Sequence, residues 1–225
     1  MPIGFRIARR RRKVDAALVE RFRSIPVANV SDSMSRMAAA GPRLRPMHKG
    51  GAMAGPALTV KVRPGDNLML HRALDLAEPG DVVVVDAGGD LTTAIMGDLM
   101  LAHATKRGVA GLVVNGAVRD LDSIRAQDLP LYAAGATHRG PYKDGPGEIN
   151  GAIALDGMVV EPGDLVLGDA DGVLGVPFDA VPAVLAAAEA KKAAEEREMA
   201  AILAGTSDRS WVHRTLESRG CETEE

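Results

Sequence analysis

Aromatic residues are scarce in this chain: one Trp, two Tyr and three Phe together make up 3% of its 225 residues. A hydrophobic core must therefore be assembled mainly from Val, Leu, Ile, Ala and Met, in a sequence that is 46% hydrophobic and 25% charged. That balance is ordinary for a globular protein, and the length suffices for one sizeable domain. We therefore expect one globular domain with an aliphatic core.

Cysteine is nearly absent, and long apolar runs are missing. The single cysteine, Cys221, has no partner for a disulfide within the chain, which is typical of proteins from a reducing compartment. No apolar segment follows the basic residues near the N-terminus, so they do not form a secretory signal. We expect a cytoplasmic protein without a membrane segment. Four aspartates interrupt the most apolar stretch and make it too short to span a bilayer: Asp81, Asp86, Asp90 and Asp98.

The chain also lacks a strong excess of one charge. Its formal net charge is −3, which gives no general case for nucleic-acid binding. Five consecutive basic residues, Arg9–Lys13, form the densest cluster of one sign, and no aromatic residue is interleaved with them. We therefore interpret residues 1–13 as a solvated basic arm rather than a nucleic-acid surface. Residues 206–225 form a polar tail.

The middle of the chain alternates between apolar runs and helical patterns. Val82–Val85 is continuously apolar, as expected for a strand that is buried on both faces. A helix over 97–107 and a second apolar run, Val109–Val114, follow it, and this succession predicts a parallel strand pair. Nearer the N-terminus, Ser31-Asp32 is expected to cap the start of another helix. An Ala/Glu/Lys-rich helix over about 180–204 ends the pattern.

Turn signals predict further strands around this unit. We expect each Pro-Gly-Asp sequence to form a turn that leads into a strand. Short strands dominate after Gly147, with a hairpin turn at Asp171-Gly172. The sequence therefore predicts one α/β domain over residues 14–205, with parallel and antiparallel strands and a long C-terminal helix. Pro-Gly-Asp occurs three times, beginning at Pro64, Pro79 and Pro162.

Two segments carry polar groups to the carboxyl ends of the predicted parallel strands, where ligands bind in open α/β sheets. The first is the helix start Gly97–Met100, whose backbone N–H groups suit a carboxylate or phosphate. The second is Arg119-Asp120. Arg119 can make a forked contact to a carboxylate or enolate oxygen, and Asp120 can ligate a hard cation. From local sequence alone, the alternatives are a helix cap for Asp120 and a surface charge for Arg119.

The spacing of these residues resembles that of a known family. Twenty residues separate Asp98 from Arg119, and Asp120 follows at once. This spacing, together with the block Gly108–Asp120, is similar to the signature of the aldolase members of the RraA-like family, which include 4-hydroxy-4-methyl-2-oxoglutarate aldolases. The resemblance extends from about residue 28 to about residue 205. Further matching segments are Asn29–Asp32, Gly55–Val60, Gly80–Asp86 and Pro162–Val173.

The resemblance implies a swivelling-type β/β/α fold that assembles as homotrimers or homohexamers, with active sites between subunits. It implies that Asp120 binds a divalent cation, Mg²⁺ or Mn²⁺, and that Asp98 holds water bound to that cation. Arg119 would bind the 2-oxo oxygen of a small 2-oxo acid, and four backbone N–H groups would bind its carboxylate: Gly97, Asp98, Leu99 and Met100. In this family a glutamate from a neighbouring subunit's C-terminal region completes the site, and the candidates here are Glu195, Glu196 and Glu198.

Such a site suits retro-aldol cleavage next to a 2-oxo acid, because the enzyme must hold an enolate when the carbon–carbon bond breaks. The cation acts as a Lewis acid, and Arg119 adds positive charge where negative charge develops. The expected reaction is cleavage of 4-hydroxy-4-methyl-2-oxoglutarate, or a similar 4-hydroxy-2-oxo acid, to pyruvate. Oxaloacetate gives the same enolate when it loses CO₂, so a decarboxylase side activity is expected.

Other functions are weaker or stay open. A Schiff-base aldolase needs a lysine in a desolvating pocket, and Lys61, Lys106 and Lys143 show no such context. A zinc site is disfavoured because the five histidines show no i, i+4 pairing. The alternative that stays open is a non-enzymatic RraA-type protein that binds and inhibits an RNA-degrading enzyme. Such members resemble the aldolases but lack the acidic residue that Asp98 provides here.

Overall fold

The computed structural model describes residues 3–222, and it confirms an α/β domain with mixed strands and a long C-terminal helix. The strands within these residues are β1 (Phe5–Ile7), β2 (Arg45–Pro46), β3 (Met53–Val62), β4 (Val82–Asp86), β5 (Ala94–Met96), β6 (Gly111–Val118), β7 (Leu131–Ala136), β8 (Gly147–Ile149), β9 (Ile153–Leu155), β10 (Met158–Val160), β11 (Leu165–Asp169) and β12 (Gly172–Val176). The helices are α1 (Ala16–Phe22), α2 (Val27–Ser33), α3 (Leu68–Leu76), α4 (Asp98–Arg107), α5 (Leu121–Arg125), α6 (Val181–Leu203) and α7 (Ser210–Ser218).

The strands are organised around β3, the longest of them. Its second half pairs in parallel with β4, and parallel pairing continues through β6 to β7. Its first half pairs antiparallel with β11, which forms a hairpin with β12. The predicted strand–helix–strand unit is confirmed as β4, α4 and β6, with Val85 opposite Val114. The short β5 pairs with the far end of β6, where Met96 lies opposite Val118.

Three clusters of buried apolar side chains form the core. The first cluster lies between the parallel strands and the helices α3 and α4. The second lies between the parallel strands β3, β4, β6 and β7 on one side and β9–β12 on the other. The third packs α1, α2 and α6 on β11 and β12. Successive residues of β4 point to opposite faces. Val83 and Val85 belong to the first cluster, and Val82 and Val84 to the second. The continuous apolar run of β4 is explained because both of its faces are covered.

All three Pro-Gly-Asp sequences form turns in which the aspartate N–H bonds to the carbonyl three residues earlier. The glycines adopt positive φ, 78° at Gly65, 86° at Gly80 and 91° at Gly163, as a type II turn requires. The second and third turns lead into β4 and β11, as predicted. The expectation is wrong for the first turn, which leads into α3. There the Asp66 carboxylate accepts the N–H of Leu68 and so supports the start of a helix.

The predicted Ser31-Asp32 cap is wrong, because both residues lie inside α2, which begins at Val27. The Val27 N–H donates to the carboxylate of Asp169 at 2.9 Å. A side chain from β11, remote in sequence, therefore satisfies this helix start. Asp32 instead pairs with Lys191 of α6 at 3.1 Å.

The basic segment near the N-terminus packs against the domain. β1 pairs in parallel with β8. Arg10 donates hydrogen bonds of 2.8 and 3.0 Å to the two carboxylate oxygens of Asp81, and its side chain is only 10% exposed. Arg12 lies 3.5 Å from a carboxylate oxygen of Asp164. The expectation of a solvated arm is therefore wrong for these two arginines, which pair with buried aspartates of the second and third Pro-Gly-Asp turns.

The C-terminal helices are largely exposed. In α6 the last buried residue is Ala188, and α7, which lies within the polar segment 206–225, buries none. None of the helices in residues 3–222 is long and apolar enough to cross a membrane.

Candidate active site

A cleft of about 130 Å³ lies where α4 begins and where β5 and β6 end. Gly97–Met100, Arg119 and Asp120 all line it, so the structure brings every predicted catalytic, substrate-binding and metal-binding residue to one place. The pairing of β5 with β6 explains this arrangement, because the residues that follow the two strands emerge side by side.

Asp120 turns its carboxylate back toward the start of α4. Its φ of 61° is left-handed, a conformation that costs non-glycine residues about 1–3 kcal/mol and is concentrated at functional sites. Its Oδ2 accepts a hydrogen bond of 3.2 Å from the backbone N–H of Asp98 and lies 3.5 Å from Nε of Arg119. Asp120 directly precedes α5, but its side chain makes no capping bond to that helix. Asp120 therefore stands at the N-cap position of α5, as that alternative expects, but its carboxylate does not cap the helix.

Gly97 provides the space for this approach. Its φ of −148° is extended backbone, so a left-handed conformation is not the reason for a glycine. A β-carbon at this position would overlap Oδ2 of Asp120 and lie 3.1 Å from Cγ of Arg119. The absence of a side chain at residue 97 is therefore what lets both functional side chains lie against the helix start.

The first N–H groups of α4 have no acceptor within the helix. The Asp98 N–H donates to Asp120, and the Leu99 N–H donates to Oδ1 of Asp98 at 2.7 Å. Both carboxylates thus lie at the positive end of the helix dipole, which stabilises negative charge. A substrate carboxylate bound to the same N–H groups would replace these two hydrogen bonds.

Arg119 lies between the cleft and a second, neighbouring hollow. Its backbone N–H donates to the Met96 carbonyl at 2.9 Å, which fixes the chain beside β5. Its side chain is 42% exposed and also lines a second hollow of about 370 Å³, together with Thr137 and His138. The guanidinium can therefore contact an oxygen of a bound molecule without first being released from a buried ion pair.

Six further residues line the cleft and were not predicted from the sequence: Asn67, His71, Ala94, Met96, Pro141 and Lys143. Asn67 directly precedes α3 and His71 lies within it, Ala94 and Met96 belong to β5, and Pro141 and Lys143 belong to the loop after β7. The available signal was the first Pro-Gly-Asp turn, which directly precedes Asn67. Lys143 is exposed, so the desolvating pocket that a Schiff-base lysine needs is missing.

Asn67 and His71 are the polar side chains that α3 and the residue before it contribute to the wall of the cleft. Asn67 is only 3% exposed, and its Nδ2 donates to the Ile95 carbonyl at 3.0 Å. Burial lowers the pKa of His71 below its usual value, and the positive charges of Lys143 and His103 lower it further. His71 is therefore mainly neutral at pH 7.

The donor atoms of the cleft fit a hard divalent cation. Asp98 and Asp120 supply carboxylate oxygens, and no group of three or more His, Cys, Asp or Glu residues that could hold a metal occurs between residues 3 and 222. Mg²⁺ commonly binds proteins through one or two carboxylates and completes its shell with water or substrate oxygens. The donor set suits such a cation and does not suit a structural zinc site with four protein ligands.

The three candidate glutamates project from the exposed half of α6, and none of them lines the cleft of its own chain. Glu195 accepts a hydrogen bond from Asn29, which lowers the pKa of Glu195 and keeps it charged. Glu196 pairs with Lys192 at 2.7 Å, and Glu198 accepts a hydrogen bond from Ser207. A role for any of them in catalysis would require a second subunit.

Comparison with known proteins shows which family the chain belongs to. The model of the RraA-like family, described as Aldolase/RraA, matches residues 27–174. The chain belongs to the RraA-like family. A protein of Halalkalibacterium halodurans named "Putative 4-hydroxy-4-methyl-2-oxoglutarate aldolase" is 40% identical over 184 residues, which cover 82% of this chain and 88% of that protein.

Solved structures of RraA-like proteins share the fold. The RNA-processing inhibitor RraA from Thermus thermophilis is 33% identical with a TM-score of 0.62, over 68% of this chain and 92% of that one. Streptomyces coelicolor RraAS2, described as an unusual member of the RNase ES inhibitor RraA protein family, is 27% identical with a TM-score of 0.75, over 82% and 96%. The names of these RraA-like relatives thus divide between an aldolase and an inhibitor.

Proposed function

We propose that this chain is a divalent-metal-dependent class II pyruvate aldolase. It cleaves 4-hydroxy-4-methyl-2-oxoglutarate, or a similar 4-hydroxy-2-oxo acid, and decarboxylates oxaloacetate as a side activity. The observation that carries the proposal is the convergence of Asp98, Arg119 and Asp120 on one cleft at the start of α4. The name of the Halalkalibacterium relative supports the choice of substrate.

Arg119 and the start of α4 hold the substrate in this proposal. The N–H groups of Gly97–Met100 bind its carboxylate, because a helix N-terminus favours an anion. The Arg119 guanidinium contacts the 2-oxo oxygen, where negative charge accumulates as the carbon–carbon bond breaks. A positive charge fixed there before the reaction lowers the barrier without reorganisation during the step.

Asp98 supports the proton transfer. Cleavage requires a base to take the proton of the 4-hydroxyl group. When the substrate carboxylate replaces the hydrogen bond from the Leu99 N–H to Oδ1, the Asp98 carboxylate is free to orient a water molecule as that base.

Asp120 would hold the cation. One of its oxygens faces the start of α4, and the other is available to a ligand in the cleft. When bound, Mg²⁺ or Mn²⁺ would supply Lewis-acid polarisation of the 2-oxo acid.

We further propose that the active unit is a homotrimer or homohexamer, in which Glu195, Glu196 or Glu198 of one subunit completes the cleft of the next. Leu99 supports a subunit contact beside the cleft, because this apolar side chain is 75% exposed at the start of α4.

A second candidate function is inhibition of an RNA-degrading enzyme. It is supported by the similarity to the Thermus protein named an RNA-processing inhibitor and to RraAS2, a member of the RNase ES inhibitor RraA protein family. Asp98 favours the aldolase, because an acidic residue at this point of the spacing is part of the aldolase signature that the sequence resembles.

The test is pyruvate release by the purified chain from 4-hydroxy-4-methyl-2-oxoglutarate and from oxaloacetate, first with Mg²⁺, then with excess EDTA, then with Mg²⁺ restored. We expect release that stops on chelation and returns with the metal. Release indifferent to EDTA would contradict the metal-dependent mechanism. An absence of release, combined with inhibition of an RNA-degrading enzyme by the same preparation, would favour the second candidate.

A further inference from the structure

The buried carboxylate of Asp66 joins two segments of the chain beside the cleft. Asp66 is 0% exposed. Its Oδ1 accepts the N–H of Leu68, at the start of α3, at 2.9 Å. Its Oδ2 accepts the N–H groups of Asp144 and Gly145 at 2.7 and 2.9 Å. One carboxylate therefore satisfies three backbone donors from both segments.

Each segment supplies side chains to the wall of the cleft. Asn67 directly follows Asp66, and Lys143 directly precedes Asp144. Two backbone hydrogen bonds run beside the carboxylate, from the Asn67 N–H to the Tyr142 carbonyl at 3.0 Å and from the Tyr142 N–H to the Gly65 carbonyl at 2.8 Å. Residues 137–146 belong to no helix or named strand. The contacts around Asp66 hold the middle of this loop, and hydrogen bonds to Thr137, Arg139 and Pro146 hold the rest.

The aspartate of the third Pro-Gly-Asp turn provides an internal comparison. Asp164 is 5% exposed and also joins two segments, because it accepts the N–H groups of Glu161 at 2.8 Å and Phe178 at 2.9 Å. Neither partner lines the cleft. Asp66 and Asp164 therefore lie in turns of the same kind, are both buried, and both accept backbone hydrogen bonds from two segments. They differ in whether those segments reach the cleft.

We infer that Asp66 is a positioning residue of the 2-oxo acid site: it holds the Tyr142–Gly145 loop against the start of α3 and so fixes one wall of the cleft. The kinetic part of this inference rests on the proposed aldolase function, whereas the part about the loop does not. An asparagine at residue 66 keeps the size but replaces one acceptor oxygen with an N–H donor. Either the loop or the helix then faces a donor instead of an acceptor.

The experiment compares Asp66→Asn with Asp164→Asn as a matched control. We expect both variants to lower Tm by about 3–10 °C, because each loses hydrogen bonds to a buried charge. Only Asp66→Asn should raise KM for the 4-hydroxy-2-oxo acid, by about tenfold or more. Its kcat should change by less than about threefold, because Asp98, Arg119 and Asp120 lie on neither segment. Equal changes of KM in the two variants, or none in Asp66→Asn, would overturn the inference.

Backbone amide exchange separates this inference from the proposed function. In Asp66→Asn, amides of residues 142–147 should exchange about tenfold faster than in the wild type, whereas Asp164→Asn should leave them unchanged. Unchanged exchange in Asp66→Asn would also overturn the inference, whether or not the wild type releases pyruvate.

If Asp66→Asn does not fold, Asp144→Pro removes one of the loop's N–H donors and leaves Asp66 in place. The same increases in KM and exchange are then expected, and their absence would count against Asp66.

Discussion

The backbone of Gly97 lies so close to Oδ2 of Asp120 that a β-carbon at residue 97 would overlap this oxygen. Gly97→Ala should therefore displace the carboxylate, although alanine tolerates the extended backbone there. We expect kcat/KM for pyruvate release to fall about 100-fold. The free energy of unfolding should fall by only about 1–3 kcal/mol, the usual effect of inserting a methyl group into a tight space.

Gly175→Ala is the control for this change. Gly175 is buried and does not have positive φ, and a β-carbon there would lie 3.5 Å from its nearest neighbour, which is ordinary contact. The Gly175→Ala variant should therefore retain wild-type activity. If Gly97→Ala were as active as Gly175→Ala, the close approach of Asp120 to α4 would have no catalytic meaning.

Arg119→Lys tests whether a planar guanidinium is needed. Lysine keeps the charge but cannot make the forked contact to an oxygen of the substrate. We expect kcat to fall about 100- to 1,000-fold, the usual effect of removing a donor that faces developing negative charge. Arg125→Lys, on the exposed surface of α5, is the matched control and should change kcat little. A comparable kcat for both variants in steady-state assays would show that Arg119 acts only as a surface charge.

His71 should make stability depend on pH. Its pKa is lowered in the folded chain by burial first and then by the charges of Lys143 and His103. As pH falls below about 6.5, the unfolded chain binds a proton at this residue before the folded chain does, so folding loses stability through the lowered pKa. The Tm of His71→Gln should therefore decrease less than the Tm of the wild type between pH 7.5 and pH 5.5. His213→Gln, exposed on α7, should follow the wild type; a parallel loss of Tm in all three proteins would contradict this assignment.

Periodicity and turn residues predict the part of the fold that local sequence controls. β4 and α4 are confirmed with boundaries within one residue of those predicted, because an apolar run and a helical pattern mark them. β6 is confirmed as a strand but ends four residues later than predicted, at Val118. α3 and β5 were not predicted. β5 is three residues long, and its pairing with β6 is a tertiary contact that no local pattern reports.

The candidate site was predictable where the chemistry lies on consecutive residues and not where it depends on tertiary contacts. Gly97–Met100 and Arg119-Asp120 were found from two strand ends and their spacing. The direction of the Asp120 side chain depends on a left-handed residue and on a glycine twenty-three positions earlier. Lys143 reaches the cleft through a loop held by Asp66, and these residues are far apart in sequence.

The most direct test of the central claim is Mn²⁺ binding, followed by electron paramagnetic resonance or calorimetry, to the wild type and to Asp120→Ala. We predict that the wild type binds Mn²⁺ and that pyruvate tightens this binding. We expect Asp120→Ala to lose both effects and all metal-dependent pyruvate release. Its Tm should stay within about 5 °C of the wild type, because the site contributes little to the core. Wild-type Mn²⁺ affinity and turnover in Asp120→Ala would contradict the assignment of Asp120 as the residue that holds the cation.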